Sequence, residues 1–164
     1  MKKILLVVIA LSIGLFAGVS EGDKALGFNL KSLNGKSYSM NSFKGKVVLL
    51  NLWASWCSGC KKEMPEFYKL QKSMGRNFKI VAVSIDKNSA DAKSFLASVN
   101  KKTHMKTPFV VLHNPSKSLA KEYKAQAMPS SYLIDKKGII RAVIVGSLNH
   151  NDIVQLKAEI RKLK

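Results

Sequence analysis

The sequence is poor in cysteine, since Cys57 and Cys60 are the only two among 164 residues. A zinc site would need two further ligands, and the three histidines, His104, His113 and His150, lack metal-ligand spacing. We therefore expect neither a metal site nor a bound cofactor.

Acidic residues are also scarce. The chain has 10 aspartates and glutamates against 28 lysines and arginines, which gives a formal net charge of +18. Such an excess is typical of proteins that bind nucleic acid or anionic membranes. Here the lysines are scattered along the chain without an aromatic-interleaved basic stripe, so we predict a solvated basic surface and no nucleic-acid partner. A weak attraction to anionic lipid or acidic partners is the alternative that stays open.

Internal repeats and low-complexity linkers are absent from the sequence. A length of 164 residues is enough for one domain whose core needs no covalent staples. We place this domain at residues 26–164.

The start of the chain has the pattern of an export signal. Two lysines precede an apolar run over residues 4–19, and residues 20–23 are polar. Residues 1–22 are therefore predicted to be a signal peptide, cleaved after Ser20, or an anchor that tethers the protein to the membrane through residues 4–19. In either case the domain lies outside the cytoplasm, in the periplasm or at the outer face of the cytoplasmic membrane.

Hydrophobic patterns predict the secondary structure of the remaining chain. Two alternating runs around Asn34-Gly35 predict a hairpin, because this dipeptide is a strong turn signal. Apolar runs at residues 47–52 and 78–86 each precede a helical pattern, which implies a parallel sheet covered on both faces. The other predicted elements are helices at 63–74 and 89–99, a strand at 109–113, a short helix ending at 123, a hairpin of strands at 132–135 and 139–146, and a helix at 151–163.

Both cysteines lie between the strand at 47–52 and the helix that follows it. The segment reads Trp53-Ala54-Ser55-Trp56-Cys57-Ser58-Gly59-Cys60-Lys61-Lys62-Glu63. Unpaired N–H groups and the positive end of the helix dipole favour a thiolate at such a point. We predict that Cys57 is the exposed nucleophile with a lowered pKa, and that Cys60, one turn further along, closes a disulfide with it.

Two other interpretations of the cysteine pair stay open from the residues alone. A structural disulfide is compatible with export, but a bridge across so short a loop removes little entropy from the unfolded chain. Two incidental buried thiols would need an apolar run that buries both, and neither cysteine neighbours one. A reactive pair in an oxidising compartment must be kept reduced, or be reoxidised, by a dedicated partner, so a redox partner is implied.

Two separated motifs and the leading hairpin carry a family resemblance. The first motif runs from Phe43-Lys44-Gly45-Lys46-Val47-Val48-Leu49-Leu50-Asn51-Leu52 through the cysteine segment to Met64-Pro65, and the second is Met128-Pro129-Ser130-Ser131-Tyr132-Leu133-Ile134-Asp135. In this order they resemble the thioredoxin superfamily, and more closely its extracytoplasmic TlpA/ResA branch. The resemblance covers residues 26–164. It implies an α/β thioredoxin-like fold, with a central mixed sheet, helices on both faces and an N-terminal β-hairpin extension.

The resemblance implies roles for residues around the two cysteines. Trp56 precedes the nucleophile, where the family has a ring packed beside the active site. Pro129 matches the family's cis-proline, which places the backbone of Met128 against the dithiol so that it pairs with an incoming extended peptide. Trp56, Met128 and Pro129 are thus the expected substrate-binding residues, and Cys57 and Cys60 the catalytic redox pair.

Glu63 is a further candidate catalytic residue. It follows Cys60 by three residues, so the two side chains share one face of a helix. The ResA-like branch has a functional glutamate here, and a carboxylate near the second sulfur raises that thiol's pKa and can carry its proton. Spacing alone fits equally well a first-turn glutamate that complements the helix dipole. Asn51 occupies the place of a buried aspartate in cytosolic thioredoxins and cannot titrate, which leaves Glu63 as the carboxylate candidate.

The expected function is an exported thiol-disulfide oxidoreductase that reduces disulfides in partner proteins. No histidine lies inside the motif, unlike in the strongly oxidising branch, which favours a reductant. The intervening dipeptide is Ser58-Gly59 instead of the family's common pair ending in proline, so a redox potential does not carry over from relatives. By resemblance, the partners are disulfide-containing exported proteins, with apocytochrome c thiols as one substrate, and a membrane electron donor of the thiol-relay type. We expect a monomer.

Two other functions are alternatives. Thiol peroxidases of the peroxiredoxin type share the fold, but their nucleophile follows a Thr or Ser by three residues and has a proline further back. This chain has Ala54 and Leu50 in those places. A non-catalytic peptide-binding module would use the groove beside Pro129, and the presence of both cysteines argues against it.

Overall fold

The computed structural model describes residues 18–164. Its strands are β1 (Asn29–Ser32), β2 (Ser37–Ser39), β3 (Val47–Trp53), β4 (Phe78–Ser84), β5 (Val110–His113), β6 (Ser130–Ile134) and β7 (Ile140–Val145). Its helices are α1 (Ser58–Met74), α2 (Ser89–Thr103), α3 (Ser118–Glu122) and α4 (His150–Leu163), and a 3₁₀ turn at Met40–Phe43 leads into β3.

All seven strands form one sheet in the order β2-β1-β5-β4-β3-β6-β7. Strands β3, β4 and β5 are parallel, because α1 and α2 return the chain between them. Strands β6 and β7 continue the sheet antiparallel on one side, and the β1–β2 hairpin adds antiparallel to β5 on the other. This arrangement confirms the predicted mixed sheet, with helices on both faces and an N-terminal hairpin extension.

Strand β3 lies at the centre of the core, between β4 and β6. Each of its seven residues is buried, as expected for a continuous apolar run covered on both faces of a sheet. Asn51 is the one polar residue of this strand and has no exposed surface. Its amide must therefore find hydrogen-bond partners inside the protein.

The largest differences from the predicted element boundaries occur at two helices, and those at the strands are two residues or fewer. Helix α1 begins at Ser58 instead of residue 63, because Cys57 caps it and the polar residues that follow belong to its first turn. Helix α2 continues to Thr103 and ends where His104 adopts a left-handed conformation with φ of 53°. Pro65 lies inside α1, which continues unbroken to Met74.

The export segment predicted at residues 1–22 lies almost entirely outside the described residues. Within residues 18–164, no helix combines the length and the apolar character needed to cross a membrane. The first described residues bind to the turn between β6 and β7. The backbone N–H of Ala25 donates to the carbonyl of Gly138 at 2.8 Å, and Lys24 lies opposite Ile139 in an antiparallel bridge.

Candidate active site

The cysteine pair lies at the junction of β3 and α1, near the centre of the sheet. Cys57 is the N-cap of α1, and its sulfur accepts a hydrogen bond from the backbone N–H of Cys60 at 3.2 Å. A helix N–H that points at a sulfur stabilises negative charge there, as does the helix dipole. The geometry therefore favours Cys57 over Cys60 as the site of the thiolate.

The two sulfurs are joined in a disulfide. Cys60 is fully buried, whereas Cys57 keeps 6% of its surface exposed. Cys57 is thus less exposed than the sequence led us to expect, because its sulfur turns toward Cys60 and the start of the helix. The preceding residue, Trp56, is 63% exposed and presents a broad apolar surface beside the pair. Cys60 therefore lies deeper in the protein than Trp56 and Cys57 do.

Glu63 lies on α1 below the cysteines and is completely buried. Its Oε1 accepts a hydrogen bond from the side-chain amide of Asn51 at 3.0 Å, and its Oε2 accepts one from the backbone N–H of Leu148 at 3.1 Å. The first turn of α1 contains no acidic residue, since the helix begins at Ser58. The interpretation of Glu63 as a first-turn partner of the helix dipole is therefore wrong.

Burial raises the pKa of Glu63 from 4.5 to about 7. The hydrogen bonds from Leu148 and Asn51 oppose this shift because they stabilise the charged form. A carboxyl group with such a pKa exchanges its proton readily at neutral pH, which is the property required of a general acid or base.

The amide of Asn51 links Glu63 to strand β6. Its Nδ2 donates to Ser131 Oγ at 2.9 Å as well as to Glu63, while its Oδ1 has no partner within the described part of the chain. Ser131 is itself buried. These contacts fix the glutamate between the two central strands and α1.

A second buried carboxyl group, that of Asp86, holds the turn before Cys57. Asp86 follows β4, and its two oxygens accept hydrogen bonds from the backbone N–H of Ser55 at 3.1 Å and from its hydroxyl at 2.8 Å. The hydroxyl of Ser84 donates to the same carboxylate at 2.8 Å. Since Ser55 precedes Cys57 by two residues, Asp86 fixes the backbone from which the side chain of Cys57 projects.

The residues between the cysteines pack against the loop that carries Pro129. The Met128–Pro129 peptide bond is cis. A Cβ added at Gly59 would lie 3.1 Å from Pro129 Cδ and 3.2 Å from Ser147 Cβ. The structure therefore brings Pro129 next to the cysteine pair, with Met128 half-buried beside it.

Sequence reasoning identified Glu63 and Asn51 separately and missed their contact. It also missed Ser131, Leu148 and Asp86. A polar residue inside the apolar run of β3 was the available signal for Asn51, because a buried amide needs partners. No signal existed for Leu148, which acts through its backbone N–H from 85 positions away.

The arrangement is suited to thiol-disulfide exchange. It combines the sulfur of Cys57, which caps helix α1, with the buried sulfur of Cys60 and the titratable carboxyl group of Glu63. Residues 21–143 match the model of the AhpC/TSA family. Among curated proteins, the chain is 33% identical over 141 residues to the thioredoxin-like protein YneN of Bacillus subtilis, which covers 84% of this chain and 79% of that protein. It is also 33% identical over 144 residues to the thiol-disulfide oxidoreductase ResA of the same organism, covering 84% and 76%.

A solved structure with the same fold is the thioredoxin domain of a thiol-disulfide oxidoreductase from Bacteroides vulgatus. It is 26% identical, superposes with a TM-score of 0.74, and covers 89% of this chain and 99% of that domain. Within residues 18–164, no three His, Cys, Asp or Glu side chains come together as metal ligands.

Proposed function

This chain belongs to the AhpC/TSA family and is a thiol-disulfide oxidoreductase with a thioredoxin-like fold, and from that premise we propose that it reduces disulfides of partner proteins outside the cytoplasm. Cys57 and Cys60 are the proposed catalytic pair, with Glu63 as their proton carrier. Trp56, Met128 and Pro129 are the proposed contacts for the partner.

In the proposed reaction, the thiolate of Cys57 attacks one sulfur of the partner's disulfide and displaces the other as a thiolate, which takes up a proton. The product is a mixed disulfide. Cys60 then loses its proton and attacks Cys57, which forms the intramolecular disulfide and releases the second partner thiol. Two electrons pass from the protein to the partner.

Glu63 supports the second attack, because Cys60 is fully buried and has to lose a proton away from water. A carboxylate with a pKa of about 7 accepts this proton at neutral pH, and its contacts with Asn51 and Leu148 hold it in place during the transfer.

The direction of electron flow rests on one observation, the dipeptide Ser58-Gly59 between the cysteines. Neither residue carries a positive charge, so the reduced form lacks the histidine that stabilises the thiolate of a strong oxidant. We expect a reduction potential of about −200 mV or lower, measured by equilibration with glutathione redox buffers. A value near about −120 mV, where DsbA lies, would show that the protein oxidises its partners instead.

The proposed partners are exported proteins that contain disulfides, with the haem-binding thiols of apocytochrome c as one candidate. A reductant in an oxidising compartment must be re-reduced, so a membrane electron donor of the thiol-relay type is part of the proposal. The predicted export segment supports this location.

A thiol peroxidase is the weaker alternative. Peroxide activation depends on a hydroxyl beside the thiolate, and the position three residues before Cys57 is Ala54. The adjacent hydroxyl, that of Ser55, donates to Asp86. Insulin-disulfide reduction compared with peroxide consumption tests the choice, and insulin turnover also separates the oxidoreductase from a non-catalytic peptide-binding module.

A further inference from the structure

A cleft lined by lysines lies at the end of the sheet opposite the cysteine pair. It has a volume of about 470 Å³, and its rim carries the side chains of Lys24, Lys44, Lys46, Lys136 and Lys137. Its wall includes Val48, the second residue of β3, whereas the cysteine segment follows Trp53, the last residue of that strand. At about 3.3 Å per residue, the strand separates the cleft from the cysteine segment by about 17 Å.

The five lysines come from three separate parts of the sequence. Lys24 belongs to the segment before β1, Lys44 and Lys46 follow the 3₁₀ turn, and Lys136 and Lys137 form the turn between β6 and β7. The fold therefore brings together a cluster of lysines that does not show as a basic stripe in the sequence. The positive charge is concentrated by tertiary structure, not by local composition.

The positive charge of the cleft is not neutralised by its own acidic residue. The carboxylate of Asp135 is already bound to the guanidinium of Arg141 at 2.6 Å and accepts hydrogen bonds from the backbone N–H groups of Lys137 and Ile139. Although partial burial works to raise it, these bonds hold the pKa of Asp135 below its usual value, so the group stays ionised on Arg141. In the part of the chain that the structure describes, none of the five lysines pairs with an acidic side chain, and the ammonium of Lys136 donates to the main-chain oxygen of Lys164.

The cleft has a partly apolar floor. Met40, Phe43 and Val48 line it below the lysines. An ammonium rim over an apolar floor matches the phosphate and the glycerol of a phospholipid headgroup better than it matches a fully hydrated ion.

The cleft is also close, along the chain, to the predicted membrane segment. Lys24 follows the end of the apolar run at residues 4–19 by five residues, which span at most about 17 Å when extended. Residues 22–25 are fixed to the turn that carries Lys136 and Lys137, through bonds such as that from Gly22 N to Ile140 O at 2.8 Å. A membrane bound by the export segment would therefore lie within reach of the cleft.

We propose that this lysine cleft is the surface with which the protein lies on an anionic phospholipid bilayer. The lysine ammonium groups bind lipid phosphates, and the cysteine pair then faces away from the membrane, toward partners in the extracytoplasmic space. The inference rests on the proposed extracytoplasmic location, but not on the direction of electron transfer.

Two matched variants of the full chain test the proposal. In the cleft variant, Lys24, Lys44, Lys46 and Lys137 are replaced by glutamine. In the control variant, four exposed helical lysines, Lys72, Lys93, Lys101 and Lys102, are replaced in the same way. Both variants lose four positive charges, and both keep the export segment, so its contribution to binding cancels from the comparison.

Binding is measured by cosedimentation with vesicles of phosphatidylcholine alone and of phosphatidylcholine mixed with phosphatidylglycerol. We expect the wild type and the control variant to prefer the anionic vesicles, and the cleft variant to bind them at least about tenfold more weakly than the control variant does. Equal binding by the two variants would mean that only total charge matters and would overturn the proposal.

Competition with soluble glycerol phosphate separates a membrane surface from a free phosphate ligand. We expect it to leave vesicle binding unchanged at millimolar concentration, because a bilayer engages many lysines at once. Displacement of the protein from vesicles would instead assign the cleft to a soluble anion.

Insulin reduction by the cleft variant is measured in parallel. If the cleft variant reduces insulin normally but no longer binds vesicles, the cleft is a membrane surface. If the wild type itself fails to reduce insulin, that result counts against the proposed function and not against the membrane surface.

Discussion

Glu63 is subject to two opposing effects in the protein. Both of its oxygens accept hydrogen bonds, which suits an ionised carboxylate, yet complete burial favours the protonated form. The balance places its pKa near neutrality at about 7. The side chain can therefore both hold and release a proton near neutral pH.

Replacement of Glu63 by glutamine should change how thiol reactivity depends on pH. The substitution removes, at nearly constant size, a titrating group that follows Cys60 by three residues on α1. We expect the iodoacetamide reactivity of the reduced protein, followed from about pH 5 to 10, to lose an inflection near pH 7. Glu66→Gln, three residues further along α1, is the control and should keep the wild-type profile, because Glu66 pairs with Lys69. Profiles of Glu63→Gln and wild type that superimpose would remove Glu63 from the mechanism.

The same substitution should change how stability depends on pH. The pKa of Glu63 is raised in the folded state, from 4.5 to about 7, so the folded protein binds more protons than the unfolded chain between these values. Stability contributed by this group is then present below pH 4.5 and lost as pH rises through 7, by roughly 3 kcal/mol in all. Urea unfolding at pH 5 and pH 8 should show a smaller decrease for Glu63→Gln than for the wild type. An equal decrease in both would mean that other groups cause it.

The two cysteines should behave differently when each is replaced by alanine. Cys60→Ala leaves Cys57 free to attack but removes the resolving thiol, so mixed disulfides with partners should accumulate. Cys57→Ala leaves only the fully buried sulfur and should capture few partners. Covalent complexes recovered from cells that produce each variant, separated on non-reducing gels, provide the measurement. Equal capture by the two variants would contradict the assigned roles.

At the scale of elements, the start of α1 fits tightly against two loops. A Cβ at Gly59 would come within 3.1 Å of the ring of Pro129 and 3.2 Å of Ser147 Cβ, and neither atom is the end of a flexible side chain. This contact joins the helix that carries the cysteines to the loops before β6 and α4.

Gly59→Ala should destabilise the protein by about 1 kcal/mol in urea unfolding, because the added methyl group strains this contact. Ser147→Gly removes one of the two atoms, so the double variant should recover part of the loss. Ser58→Ala, in the same turn but exposed, is the control and should unfold close to the wild-type midpoint. If Gly59→Ala were as stable as the wild type, the two loops would be able to move apart without strain.

The sequence predicted those strands, helices and turns that are determined by residues close together in the chain. The apolar run of β3 predicted a buried strand, and Asn34-Gly35 predicted the hairpin turn, in which Gly35 has φ of 88°. The start of α1 was placed too late because its first residues are polar and its cap is a cysteine sulfur, which helical periodicity does not reveal. The contact between Glu63 and Leu148 depends on how α4 packs against α1, so no local pattern could indicate it.

At the scale of the whole molecule, the excess of positive charge should make stability depend on salt. The net charge is +18, and only three ion pairs occur within residues 18–164. Repulsion among the lysines therefore works against the compact state. We expect the thermal midpoint to rise by a few degrees between about 0.01 and 1 M sodium chloride, over which the Debye length falls from about 30 to about 3 Å.

Differential scanning calorimetry measures this dependence. The control variant with four helical lysines replaced by glutamine should show a smaller rise, because it carries less charge to screen. A midpoint that falls with added salt would mean that favourable ion pairs outweigh the repulsion.

The disulfide joins residues only three positions apart, at the beginning of one helix. The bond therefore does not cross-link distant parts of the chain. The sheet, the core and the other helices have no reason to rearrange between the oxidised and the reduced protein. Proteases and chaperones act mainly on unfolded chain, and neither redox state gives the sheet or the core a reason to unfold. We expect the oxidised and the reduced protein to be equally long-lived in the cell, so that one molecule can serve through many cycles before it is degraded.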